Sequence, residues 1–423
     1  MTRLGYLVFL AAQSAWNRRG TLLLIVFSIA LSTTLLLGLE RVRKQMRESF
    51  VQAVSGTDLV IGARGGDMQL VLYAIFHLGG AANNMGYQSA REIAQKPEVA
   101  WAVPLSLGDS HKGFPVVATS EDFFRHYRFR GDRQPTFAQG KAFASVFEVV
   151  LGAEAAKKLG YALGHKLLLS HGSGGTRATE HTDMPFAVSG ILAATGTPVD
   201  RSLFISLAGM EAVHLNWRSG APIPGLHITP EQAIKFGLEP QSITALLVGL
   251  KKRSRVFALQ QEIQAWKAEP LTGVMPGVAL DRLWSMVDTG ERALLFVSAL
   301  VTVTGLAGLA AAILAGLGER RRELAVLRAA GARPADILIL PACEALLLLT
   351  VGTACGVAVL GGLIAALGPI LAEKYGFFLR LSPPETGEWL VLGGIFLAGF
   401  LAGLIPAFRA YRMSLSDGLT ISV

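Results

Sequence analysis

Charge is scarce in this sequence. Only 17% of its 423 residues are Asp, Glu, Lys or Arg, whereas 51% are hydrophobic and the mean hydropathy is +0.45. A soluble protein of this length carries more charge, so the composition predicts that part of the chain lies in lipid. The net charge of +8 does not indicate a nucleic-acid partner, because many basic residues flank apolar runs, as they do at the cytoplasmic ends of membrane helices.

The sequence contains only two cysteines and no stretch that fits a nucleotide-binding loop. The two cysteines, Cys343 and Cys355, lie in one apolar run, where twelve helical residues separate them by about 18 Å, too far for a disulfide. The glycine-rich stretch 171–176 has no lysine and opens no helix, so it does not fit a phosphate-binding loop. We therefore expect no ATP hydrolysis, no catalytic residues and no cofactor in this chain.

Long runs without charge predict four membrane-spanning helices, because about 20 apolar residues cross the hydrocarbon core. Span one occupies 21–39 and follows an N-terminal stretch, 1–20, that we expect to lie as an amphipathic helix on the cytoplasmic face. Residues 40–53 contain no glycine or proline, so this helix is expected to continue as a stalk to residue 54. The other predicted segments are a second stalk with span two at 280–317, span three at 337–371 and span four at 389–410.

Residues 55–279 have the composition of a soluble domain. Short apolar strands and helices follow one another there without a regular strand–helix–strand rhythm, which favours an α+β domain. The predicted fold class is therefore four transmembrane α-helices with a large α+β extracytoplasmic domain inserted between helices one and two.

Net charge differs between the segments that flank the predicted spans. It is +3 over 1–19, +2 over the connector 318–336 and +1 over 408–423, but −1 over the loop 372–388. Basic segments remain on the cytoplasmic side of a membrane. Both termini, including the tail 411–423, are therefore predicted to be cytoplasmic. The large domain is predicted to lie on the outer side of the membrane of a multi-pass protein.

Small residues recur at helical spacing in the later spans, which lets membrane helices approach closely. These glycines are predicted to pack helices against one another or against a second copy of the chain: Gly308, Gly316, Gly352, Gly356, Gly399 and Gly403. Glu344 lies inside span three, where a carboxylate is costly and needs a partner or a water-filled cavity. Two interpretations stay open for it, a coupling or gating contact and an interfacial group paired with a connector arginine.

All eight histidines lie in the large domain. His171, His181 and Asp183 are close in sequence around the glycine-rich loop, and imidazole and carboxylate groups suit zinc. These three residues are candidate metal ligands, although their spacing matches no standard ligand motif. The alternative is that they are polar loop residues.

The connector 318–336 has the pattern of a short amphipathic helix. Leu324, Leu327 and Ala330 form an apolar stripe, and Gly331 is placed to end the helix. Such a helix could lie on lipid headgroups or in a groove of a soluble partner. Its sequence, RRRELAVLRAAGA over 320–332, resembles the connector of ABC transporter permeases of the MacB/LolC/FtsX type. The layout of one span, an outside domain and three spans resembles that family too, as do GLIPA at 403–407 and FAVSGIL at 186–192.

Two features depart from the family pattern. Ala325 stands where these permeases usually have glycine, and no ATPase domain is fused to the chain as it is in MacB itself. The resemblance therefore implies a separate cytoplasmic ABC ATPase subunit that binds ATP and Mg²⁺. It also implies a bacterial inner membrane as the location, with the large domain in the periplasm. It further implies that the connector is the coupling helix that docks on this ATPase. The residues that match the motif are Arg321, Glu323, Leu327, Arg328 and Gly331.

The function implied by the resemblance is mechanotransmission, in which ATP-driven motion of the ATPase is relayed to the periplasmic domain to export or extract lipoprotein or hydrophobic envelope cargo. Two alternatives stay open, an FtsX-like regulator of a periplasmic enzyme and a zinc-linked transporter that uses the periplasmic histidines. The expected partners are the ATPase, a second permease copy as homodimer or paralogue heterodimer, membrane lipid, and a periplasmic adaptor or substrate-binding protein. Nucleic acid is not expected as a partner.

Overall fold

The chain divides into two compact units. A computed structural model describes residues 19–53, 56–79, 83–129, 132–172, 181, 183–218, 221–223, 227–319, 326, 329, 333–375 and 381–412. The membrane unit comprises Met1–Met46 and Val287–Val423, and the sheet unit comprises Arg47–Met286.

Eleven α-helices occur in the described part of the chain. They are α1 (Arg19–Ala53), α2 (Asp67–Phe76), α3 (Tyr87–Ala94), α4 (Asp122–His126), α5 (Ala153–Leu159), α6 (Leu207–His214), α7 (Pro230–Ala233), α8 (Val256–Gln264), α9 (Pro276–Glu319), α10 (Pro334–Tyr375) and α11 (Thr386–Arg412).

The strands all lie in the sheet unit. They are β1 (Leu59–Ala63), β2 (Met85–Gly86), β3 (Val99–His111), β4 (Phe114–Thr119), β5 (Phe137–Gly140), β6 (Glu148–Leu151), β7 (Lys166–Leu167), β8 (Ser170–His171), β9 (Phe186–Leu192), β10 (Leu203–Ser206), β11 (Trp217–Arg218), β12 (Ala221–Pro222), β13 (Ser242–Ile243), β14 (Ala245–Leu250) and β15 (Leu271–Val274).

One mixed sheet organises this unit. Its strand order is β15-β1-β14-β3-β4-β10-β6-β9-β5, with β7 added to β9 and β8 added to β3. Most neighbours are antiparallel, whereas β10 with β4 and β6 with β9 are parallel pairs. A sheet of mixed direction with helices inserted between its strands confirms the predicted α+β class.

Both faces of the central strands are buried. Because side chains alternate across a strand, Phe204 faces one apolar cluster, with Phe123 and Phe124 of α4. Its neighbours Leu203 and Ile205 face a second cluster on the other side, with α5 and α6. The continuous apolar run of β10 is what a strand covered on both faces requires.

Four helical segments in the described part of the chain are long and apolar enough to cross a membrane, judged by length and composition. They are Leu22–Gln45, Pro276–Gly316, Ile337–Leu371 and Thr386–Arg409. Span one and its stalk form a single helix, α1, as the lack of helix breakers predicts. Span two likewise continues without interruption from its stalk in α9.

The structure differs from the sequence-based boundaries at several points. Helix α10 extends to Tyr375 and α11 begins at Thr386, so the loop between spans three and four is shorter than the predicted 372–388. Strand β15 and helix α4 were not predicted, because each is a short segment whose apolar residues pack on the sheet without a long periodic pattern. The N-terminal stretch 1–18 lies outside the described residues.

Candidate functional site

Four polar side chains from separate segments converge in the sheet unit. One donor atom from each of Asp109, His171, His181 and His214 lies within 4.8 Å of the others. We call these four residues the Asp109 cluster. Asp109 is on β3, His171 on β8 and His214 at the end of α6, while His181 lies between β8 and β9.

The local fold explains why two members of the Asp109 cluster meet. Strands β3 and β8 are antiparallel neighbours in which Asp109 stands directly opposite His171, and opposed side chains on one face of a sheet are close enough to touch. Gly172, the residue after His171, has the left-handed φ of +84°, and its amide donates to the carbonyl of Gly108 at 2.9 Å. This backbone bond keeps the two side chains in register.

Asp109 lies at the centre of the cluster, and its side chain is fully buried. Its Oδ1 is 3.1 Å from Nδ1 of His171 and 3.6 Å from Nε2 of His214. Its Oδ2 is 3.5 Å from Nε2 of His181. The carboxylate therefore faces three imidazole rings.

The charge of Asp109 is set by these rings. Burial alone would raise the pKa of the carboxyl, but the polar contacts from His171 and the other two imidazoles outweigh it and hold the pKa of Asp109 well below its usual range. Burial likewise disfavours the charged ring of His214, yet the contact with the carboxylate raises the pKa of His214 above its ordinary value. Asp109 is therefore an anion in a largely buried place.

Trp217, on β11, covers the rings of the cluster. Its ring centroid is 4.3 Å from that of His181 and 5.1 Å from that of His171. An indole against a group of imidazoles excludes water from one side of them, while the side chains of His171 and His214 remain partly exposed.

The membrane unit holds a buried ion pair. The Nε and Nη2 atoms of Arg41 each lie 2.7 Å from one carboxylate oxygen of Glu388, and Nη2 also donates to the carbonyl of Ser382 at 3.1 Å. Arg41 is 8% exposed and Glu388 7%. This bidentate pair joins α1 to α11.

Four of the predicted packing glycines lie at contacts between helices of this unit. A Cβ at Gly352 would be 2.8 Å from Ile29, and one at Gly356 would be 2.7 Å from the carbonyl oxygen of Ala30. A Cβ at Gly399 would be 2.6 Å from Leu349, and one at Gly403 would be 2.6 Å from Ala345, both on α10.

The other two predicted glycines belong to α9. Gly316 is buried, whereas a Cβ at Gly308 would meet no described atom within 4 Å. Among the six predicted glycines, those of span three therefore lie where α10 approaches α1, and those of span four lie where α11 approaches α10.

Comparison with known proteins identifies the family. A model described as MacB-like periplasmic core domain matches residues 20–266, which is more than half of the chain, and a model described as FtsX-like permease C-terminal matches residues 295–415. The chain belongs to the MacB/FtsX-type ABC transporter permeases. The sheet unit is accordingly the periplasmic core domain of this permease.

One curated relative of the permease is the macrolide export ATP-binding/permease protein MacB of Chromobacterium violaceum. It is 33% identical over 144 residues, which cover 33% of this chain and 22% of MacB. The chain thus spans about a fifth of the length of that relative.

Two solved structures are also similar to the permease. The periplasmic region of MacB from Actinobacillus actinomycetemcomitans has 11% identity and a TM-score of 0.33, covering 55% of this chain and 97% of that one. The extracellular domain of the noncanonic ABC-type transporter YknZ from Gram-positive bacteria has 8% identity and a TM-score of 0.30, covering 52% and 98%.

The structure describes some of the predicted site residues of the permease and not others. The coupling residues Arg321, Glu323, Leu327, Arg328 and Gly331 lie outside the described residues. Glu344 is buried within α10, with 4% of its surface exposed, and its role stays a prediction.

The structure brings two of the three candidate metal ligands together. His171 and His181 lie in the Asp109 cluster, whereas Oδ2 of Asp183 is 3.1 Å from Nδ1 of the exposed His227. Asp109 and His214 are the other members of the cluster, and metal binding stays a prediction. Asp109 offered a signal, since it is the one acidic residue of β3, and a charged group buried in a sheet needs partners.

Proposed function

We propose that this permease is the non-catalytic membrane subunit of an ATP-driven transporter of the exporter type. A separate cytoplasmic ATPase binds ATP and Mg²⁺ and supplies the motion. Two permease copies, identical or paralogous, relay that motion to their periplasmic core domains, which act on lipoprotein or hydrophobic envelope cargo. Both termini and the connector face the cytoplasm.

The observation that carries the proposal is the course of α9. Ala279 and Leu280, near its beginning, belong to the apolar core of the periplasmic domain. Leu309 and Ile313, towards its end, belong to the apolar core of the membrane unit. One helix of 44 residues therefore takes part in both cores, and it rises by about 66 Å. An unbroken helix of this kind can carry a displacement without a substrate channel in the membrane.

The family membership and the sequence of the connector support an ATPase partner. The apolar stripe of the connector suits a groove in a soluble subunit, and its basic character suits the cytoplasmic side. The MacB relative carries ATP-binding and permease functions in its name, which supports the same division of labour between an energy source and a membrane part. Its name also supports a hydrophobic compound as one class of cargo.

The relay is tested by interrupting α9 at Met286, whose side chain is 75% exposed. Proline at this position removes a backbone hydrogen bond and costs about 3 kcal/mol of local helix stability. The matched control is Met286→Ala, which keeps the helix. Both are made in a chain with Cys343 and Cys355 replaced by serine, carrying one fluorophore on Lys235→Cys, an exposed position of the periplasmic domain.

Each variant is reconstituted in nanodiscs with the co-purifying ATPase. We expect ATP to change the fluorescence of the parent and of Met286→Ala, and Met286→Pro to bind the ATPase yet lose at least about 80% of this change. A proline variant that keeps the full ATP-dependent signal would contradict the relay.

Docking of the connector is tested separately with Leu327→Asp, which places a charge in the apolar stripe. We expect this variant to lose stimulation of the ATPase subunit, and Leu327→Ile to retain it. Equal turnover with both variants would show that the connector does not dock through this face.

A further inference from the structure

We propose that the Asp109 cluster binds one divalent transition-metal ion of the zinc class in the periplasmic core domain. The site consists of the carboxylate of Asp109 and the imidazoles of His171, His181 and His214. It does not depend on the relay of motion proposed above, because its argument uses only residues of the sheet unit.

The distances fit a tetrahedral ion. Zinc bonds to nitrogen and oxygen measure about 2.0 to 2.2 Å, so neighbouring ligand atoms of a tetrahedron stand about 3.4 Å apart. In the cluster, Asp109 Oδ1 is 3.1 Å from His171 Nδ1 and 3.6 Å from His214 Nε2. His214 Nε2 is 3.2 Å from His171 Nδ1, and His181 Nε2 is 3.5 Å from Asp109 Oδ2. The three separations among Asp109 Oδ1, His171 Nδ1 and His214 Nε2 match the edges of one face of such a coordination sphere. His181 Nε2 lies nearest the other carboxylate oxygen, and one donor atom from each of the four residues lies within 4.8 Å of the others.

The ring of His214 is oriented for coordination. Its Nδ1 lies 2.8 Å from the carbonyl oxygen of Met210, one turn earlier in α6. Nδ1 must carry the proton to donate to that carbonyl, so Nε2 of the neutral ring presents a lone pair to the cluster. Histidine ligands of metal ions are commonly fixed in this way through their second nitrogen.

His181 gives an independent observation. The residue is 4% exposed, and neither ring nitrogen has a hydrogen-bond partner among the described residues. The separation of 3.5 Å from Asp109 Oδ2 is too long for a good hydrogen bond. A buried imidazole without a partner is unfavourable. A cation between His181 and the carboxylate would give both groups a partner.

Protonation of the imidazole rings does not give every group of the cluster a favourable partner. One carboxylate can balance one imidazolium, but three rings face it, and the ring nitrogens of His171 and His214 also face each other at 3.2 Å. A second or third imidazolium would place like charges side by side in a largely buried place. One divalent cation instead accepts three nitrogen lone pairs and neutralises the carboxylate.

The ligand set selects the class of ion. Calcium and magnesium prefer oxygen ligands, whereas three imidazoles with one carboxylate suit zinc and its neighbours in the first transition row. Four protein ligands complete a tetrahedron, which is typical of a structural rather than a catalytic zinc site. The side chains of His171 and His214 are 38% and 30% exposed, so the ion can enter from and return to the periplasm.

Occupation of the site would connect elements that are distant in sequence. Strand β3, strand β8 and helix α6 each contribute a ligand, so the ion would hold the end of α6 against the sheet. Trp217, whose ring lies 4.3 Å from that of His181, is placed to report the event by its fluorescence.

The test uses the full chain in detergent micelles with an affinity tag that contains no histidine. The protein is stripped with EDTA and titrated with Zn²⁺ in competition with a chromogenic chelator. We expect one ion per chain with a Kd below about 1 µM. Cobalt(II) is expected to give the intense visible absorption of a four-coordinate site, and copper(II) to quench the Trp217 fluorescence.

His214→Gln and His181→Asn each remove one ligand and are expected to weaken zinc binding at least about 100-fold. His227→Gln is the matched control, because His227 belongs to the same domain but pairs with Asp183 outside the cluster; it should bind as the parent does. Circular dichroism checks that each variant folds. Should His181→Asn fail to fold, the partly exposed His214 decides the outcome.

The proposal is overturned if the parent chain shows no one-to-one binding of zinc. It is equally overturned if a folded His214→Gln binds zinc as tightly as the parent. Neither result would bear on the ATP-dependent signal in nanodiscs, so failure of the metal site and failure of the relay are distinguishable.

Discussion

Removing Arg41 should strongly destabilise the membrane unit. The guanidinium makes two hydrogen bonds of 2.7 Å to Glu388 and a third to the carbonyl of Ser382, and both charged residues are more than nine-tenths buried. With charge centres about 4 Å apart and an effective dielectric constant of about 20, the attraction is about 4 kcal/mol. Arg41→Met would also leave the carboxylate of Glu388 buried without its partner. We therefore expect a loss of about 3 to 5 kcal/mol.

The double variant Arg41→Met with Glu388→Leu should recover most of this loss, because it removes the buried charge together with its partner. Lys44 supplies the matched control. It pairs with Glu385 on the same two chain segments, but these side chains are 42% and 53% exposed. Lys44→Met should therefore cost less than about 1 kcal/mol.

The assay is reversible unfolding of the full chain in mixed micelles, followed by tryptophan fluorescence. The reasoning would be refuted if Arg41→Met lost less than about 1 kcal/mol. A double variant as unstable as the single one would also refute it, because the loss would then not arise from an unpaired charge.

The other predictions concern packing and pH. Gly356→Ala should cost about 1 to 3 kcal/mol, because its Cβ would lie 2.7 Å from Ala30 and Thr33, while Gly308→Ala should be neutral in the same unfolding assay; equal effects would contradict the packing. Burial lowers the pKa of His77 to about 4. The contribution of its neutral ring to the free energy of unfolding is therefore fully present above pH 6.5 and is lost as the pH falls towards 4. Between pH 7 and 5 the loss should be about 2 kcal/mol, and His77→Asn, which tolerates the left-handed backbone there, should remove that part of the slope.

The sequence specified the elements with a strong pattern. Helix α5 and strand β9 lie in segments with clear local signals, a short helical stretch between Gly152 and Gly160 and an alternating apolar run. The four spans were equally evident from their length. The order of strands was not predictable, because pairing such as β1 with β14 and β15 joins segments nearly 200 or more residues apart.

The candidate metal site shows the same limit. Proximity in the chain predicts His171 and His181 as neighbours, but it predicts Asp183 equally. Asp109 and His214 join only through the pairing of β3 with β8 and the position of α6. Likewise, the ion pair of Arg41 with Glu388 depends on how α1 packs with α11, and the sequence around these two residues does not predict that packing.

The position of β1 in the sheet has a consequence for biosynthesis. Ile61 leaves the membrane early during translation, yet one of its neighbours in the ladder is Gly273. Until about 210 further residues have been translocated, one edge of β1 has no strand to pair with, and the apolar clusters of Leu59, Val60 and Ile61 lack the residues that β14 and β15 contribute. We expect the nascent domain to need a periplasmic chaperone throughout that interval, and to close only as the second span reaches the bilayer.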